Sequence, residues 1–104
     1  MPDPSEQLQR LHLAGYELQT FERYPTAVGV IRDGCIALLR VTPLGLEIIG
    51  TPGWRMGELL GVLVEKDGQQ VFQAKSELVE ATPERLDKLH RFRADLEQLL
   101  TATA

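Results

Sequence analysis

TAVGVIRDGCIALLRVT, residues 26–42, is two apolar runs joined by Asp33-Gly34. That dipeptide tolerates the positive φ angles of a two-residue type I′ turn, whose twist matches that of paired strands. The stretch therefore predicts an antiparallel hairpin. In it Arg32 faces Cys35, Val30 faces Ala37 and Val28 faces Leu39, while Ile31 opposes Ile36 and Gly29 opposes Leu38 on the other side. Both sides are largely apolar, whereas a hairpin with one wet face alternates apolar and polar residues.

A second hairpin signal lies downstream in LLGVLVEKDGQQVFQAK, residues 59–75, centred on Asp67-Gly68. Here Val64 pairs with Val71 and Leu63 with Phe72, and again neither side is clearly polar. Between the two hairpins, TPLG at 42–45 suits a turn, and LEIIG at 46–50 suits a strand. Upstream, YELQTFERY at 16–24 alternates Tyr16, Leu18 and Thr20 against Glu17 and Gln19, a strand that Pro25 closes because proline lacks an amide donor.

Helices flank these strands. Asp3, Pro4 and Glu6 suit a cap, a first-turn proline and an N3 acceptor, so a short helix is expected from Pro4 to Ala14, with Leu8, Leu11 and Ala14 inward and Gly15 ending it. Thr82, Pro83 and Glu84 open a longer one. Its apolar stripe is Leu86, Leu89, Phe92, Leu96, Leu99 and Leu100, its polar flank pairs Glu84 with Lys88 and Asp87 with Arg91, and the final TATA reads as a fraying tail.

Short connections make strand neighbours antiparallel. The expectation is one α+β domain over 1–104: a meandering antiparallel sheet of five to six strands with a short N-terminal and a long C-terminal helix packed on it. Two helices cover one face of such a sheet, and the doubly apolar hairpins leave the other to be hidden. Either two chains bury it together, or the sheet curls into a pleckstrin-homology-like roll capped by the C-terminal helix.

Composition narrows function. The chain has 104 residues, 43% hydrophobic and 25% charged, which is an ordinary globular balance. With 15 acidic against 11 scattered basic residues, its net charge of −4 speaks against nucleic acid or an anionic membrane as partner. No apolar run approaches a membrane span, MPDPSEQLQR shows no leader pattern, and a lone Cys35 suits a reducing compartment, so the chain reads as cytoplasmic.

Neither a P-loop nor a dinucleotide-binding glycine pattern is present, and no cofactor is expected. His12 and His90 read as flank histidines, Cys35 as a structural thiol, and Glu47, Glu58, Glu77 and Glu80 as solvent-facing charges. No catalytic or metal role is assigned. What remains is GTPGWRMGELLG, residues 50–61, with four of the nine glycines and the only tryptophan.

Tryptophan and arginine are enriched where proteins bind, and methionine suits adaptable contacts, so Trp54, Arg55 and Met56 on a loop shaped by Pro52 and the glycines form the candidate interaction site. The competing reading makes Trp54 a plug for the end of the core. The function expected is a non-catalytic, self-associating interaction module, a homo-oligomer or one with a protein partner, that uses this loop or an uncovered sheet face. The alternative is a small-molecule-binding protein or minor enzyme with a pocket between sheet and C-terminal helix, where Trp54, Arg55 and a carboxylate orient an anionic ligand.

Overall fold

A computed structural model describes residues 4–22, 24–57 and 59–101. Asp3, Glu58 and the tail beyond Thr101 lie outside the described residues. Helix α1 (Pro4–Leu13) leads into β1 (Glu17–Phe21), β2 (Tyr24–Arg32), β3 (Cys35–Thr42), β4 (Gly45–Met56), β5 (Leu59–Lys66), β6 (Gln69–Ala74) and β7 (Glu77–Glu80), and helix α2 (Pro83–Thr101) follows. The strands lie side by side in chain order, each antiparallel to the next.

The sheet has seven strands rather than the five to six expected. The glycine-rich stretch is not a loop, because β4 runs unbroken to Met56 and pairs back through Met56 opposite Leu59. The additional strand is β7, which returns along β6 after Lys75-Ser76. Lys75 takes a φ of 54°, so a left-handed turn forms where no glycine or asparagine announces it.

Both Asp-Gly hairpins have the registers read from sequence, with Asp33 and Asp67 each at φ 53°. Gly34 also does something a turn alone does not require: a Cβ there would come within 2.9 Å of the Trp54 indole. The ring therefore lies over the first turn.

On one face of the sheet, Val30, Cys35, Ala37, Leu39 and Leu46 form a core with Leu11, Tyr16, Phe92 and Leu96. Further along the same face Met56, Phe72, Ala74 and Ala81 form a second cluster, against which Leu86 and Leu89 of α2 pack. Helix α2 spans both, and Trp54 and Leu89 touch each of them. One polar side chain is built into this layer. The Gln7 amide oxygen accepts from the Leu46 backbone N–H at 2.8 Å, and its nitrogen donates to the Leu100 carbonyl at 3.4 Å, linking α1 to β4 and α2.

The opposite face holds a third cluster of Phe21, Ala27, Ile31, Ile36 and Leu38, flanked by Tyr24, Ile49 and Leu60. The sheet itself buries it by curling. Opposite Ala37 alone, β4 carries residues 50–52, two more than the ladder needs, and such insertions bend a strand and sharpen its twist. Past the bend Arg55 reaches Glu17 at 3.3 Å and Gln19 at 3.3 Å on β1. Three strand spacings of a flat sheet would separate β4 from β1 by about 14 Å, so these bonds require curvature toward this second face. The result is a curled half-barrel edged by β1 and β7, with both helices on the first face.

Candidate functional site

Trp54, Arg55 and Met56 follow one another on β4, so their side chains alternate between faces. Trp54 opposes Gly61 on the helix side and stacks on Phe72, with centroids 5.7 Å apart and planes 20° apart. Met56 is 7% exposed in the second cluster. Arg55 points the other way. It opposes Leu60, donates to the Gly57 carbonyl at 3.1 Å and carries the links to Glu17 and Gln19. The structure brings Trp54 and Met56 together under α2 and leaves Arg55 on the far side of the sheet.

Gly53 shows why this stretch needs its glycines. A Cβ there would collide with the Gly61 backbone carbonyl, because β4 and β5 pass too closely for a side chain. At Gly53 and Gly61 the need is close approach to a neighbouring backbone or side chain, whereas Gly50 and Gly57 each take a φ of 65° in open space.

Trp54 also lines a groove of ≈ 380 Å³ between the sheet and the start of α2, with Thr82, Glu84, Arg85 and Lys88. The Thr82 hydroxyl caps the helix by accepting from the Arg85 N–H at 3.2 Å. Arg85 is held by donating to the Glu80 carbonyl at 2.6 Å, and its guanidinium lies 5.7 Å from the indole centroid. Lys88 stands 3.9 Å from Glu84. Trp54 thus lines a groove between sheet and helix whose cations come from α2 and not from Arg55.

The remaining candidates are dispersed. His12 lines a groove with Tyr16 and Glu17, whereas His90 lines another with Leu63, Leu86 and Leu89. Glu47 pairs with Arg40 at 3.2 Å on the surface, and Glu77 and Glu80 are exposed ends of β7. Among the described residues no group of three or more His, Cys, Asp or Glu side chains could hold a metal ion, and no helix is long and apolar enough to cross a membrane.

Cys35 is fully buried in the first core. Burial, reinforced by Asp33 and opposed by Arg32 and Lys88, pushes its thiol up to about 11. Tyr16 beside it is raised chiefly by burial, with Arg32 opposing. The Arg32 guanidinium lies 4.4 Å from the Tyr16 ring centroid and pairs with Asp95 at 2.7 Å, which closes the edge of this core.

Sequence reasoning gave less prominence to the second face of β5–β7. Val62, Gln73 and Leu78 form one cross-strand row there, and Val64, Val71 and Glu80 form the next. Val62 is 50% exposed and Leu78 46% exposed, neither helix crosses them, and the curl that covers Ile36 and Leu38 stops at Leu60. The signal was present in Val64 opposite Val71, but placing Leu78 beside them requires β7. No family model matches this chain, and comparisons with curated proteins and with solved structures likewise find no match.

Two outcomes follow from this packing. Trp54→Ala removes the ring shared by two clusters and should lower unfolding free energy in urea by about 2 to 3 kcal/mol, below full burial because part of the indole is wet. For Cys35, the unfolded thiol releases its proton near 9.0 and the folded one near about 11. Its contribution is therefore intact below pH 9 and declines as pH rises from 9 to about 11, where the unfolded chain binds fewer protons. Denaturation series across that window should show the decline, and Cys35→Ala should lessen it.

Proposed function

We propose that this domain is a non-catalytic protein-interaction module whose contact surface is the second face of β5–β7. The observation that carries the reading is the row of Val62 and Leu78, half exposed on regular strands beside Val64 and Val71. Apolar side chains grouped on a rigid sheet are a mark of docking surfaces, whereas single ones scattered on loops are not. Arg55 borders this face through its pairing with Leu60, while Trp54 and Met56 support it from behind. A cytoplasmic setting accords with Cys35 as a buried free thiol.

A second reading rests on the groove at Trp54, where Arg85 and Lys88 and the capped start of α2 suit a small anion.

A photo-crosslinker at position 62 should capture a protein, and adducts should vanish on Leu78→Asp and be missing when the label is moved to exposed Thr20. Equal labelling at 62 and 20 would overturn the docking reading. For the groove, inorganic phosphate should raise the melting temperature, and Lys88→Ala should abolish that rise.

A further inference from the structure

Resting on that docking reading, we infer that the occupant of the second face is another copy of this chain, related by a two-fold axis running along β6. A two-fold contact needs a patch complementary to itself. The cross-strand rows supply one. With the axis along the central strand, β5 of each copy lies over β7 of the other, so Val62 meets Leu78 of the second copy, and Leu78 meets its Val62. On the axis Val71 meets Val71 and Gln73 meets Gln73. The half-wet Val62 and Leu78 of each copy are thus covered together by one operation.

The charged rim fits the same axis. Lys66 lies on this face one step beyond Val64, and Glu80 lies opposite Val71 in the row with Val64. Rotation about β6 carries Lys66 to the side where the other copy holds Glu80. The two are offset by about 7 Å along the strands, which a lysine and a glutamate side chain bridge. Both are exposed, and the pair forms reciprocally.

Shape adds a third fit. A groove of ≈ 190 Å³, which Tyr24, Leu60, Val62 and Gln73 line together with Leu59 and Ala74 from the helix side, adjoins the row where Leu78 of the second copy arrives. Tyr24 comes from the start of β2, brought here by the curl, so the half-barrel builds a socket and β7 carries the knob. Pairing through the β7 edges is disfavoured, since it would set Glu77 opposite Glu80 of the other copy.

Three strands about 14 Å across by roughly 20 Å long give a patch well below the ~800 Å² that each partner buries in a standard interface, so the dimer is a weak, concentration-dependent one. Sedimentation equilibrium from about 10 µM to about 1 mM should show the mass rising toward that of two chains. Leu78→Asp should weaken association at least tenfold. Lys66→Glu and Glu80→Lys should each weaken it about threefold, and the double exchange should restore it, a rescue that loss of folding cannot mimic.

A single-chain mass throughout, an unchanged constant in Leu78→Asp, or failure of the double exchange to restore association would overturn the proposal. If the chain sediments as a monomer while position 62 still captures a different protein, the dimer falls and the docking surface stands.

Discussion

Two residues more than the ladder requires, set into β4 opposite Ala37, determine how the rest of the molecule is arranged. Without them β4 would continue flat past β3, and Ile31, Ile36 and Leu38 would face water. With them the strand bends, Arg55 reaches the first strand, and Leu60 closes over the third cluster. The same bend leaves Trp54 on the helix side above the Asp33-Gly34 turn, where it joins the two clusters beneath α2. One local irregularity thus settles how apolar residues on both faces of a single sheet are divided between cover by helices and cover by curvature.

The division stops at β5. Strands before the bend have one face under helices and the other under the curl, so their doubly apolar sequence is satisfied within one chain. Strands after it have only the first face covered, by the opening turns of α2. Their second face keeps Val62 and Leu78 half in water, and the functional reading follows from that asymmetry. Trp54, Arg55 and Met56 then act mainly as construction: two fix the helix side and one ties the curl.

Much of this architecture is legible in the sequence, and the gaps have physical causes. Both Asp-Gly registers follow from turn chemistry that is local and strict, and both helices follow from apolar spacing, with the Thr82 cap opening α2. β7 is hidden because two apolar residues between glutamates carry no pattern and because Lys75 adopts a backbone usually left to glycine. Gln7 is hidden because its burial depends on a distant Leu46 amide. The glycine-rich stretch misleads, since Gly53 and Gly61 mark two strands crossing closely and local reading assigns such glycines to a loop. The face proposed for docking is half legible: its valines stand in the hairpin register, but their neighbour Leu78 needs β7 to bring it there.

Chain order has a consequence for synthesis. All seven strands precede α2, and each pairs with its predecessor, so the sheet can assemble hairpin by hairpin as it leaves the ribosome, by contacts that are short in sequence. Phe72 nevertheless lacks its helix cover until α2 emerges and lies down, whereas the core at Leu39 and Cys35 has α1 beforehand and gains Phe92 and Leu96 only then. For that interval the helix-side face of β5 and β6 is open to water, and the docking of α2 is the step that closes it.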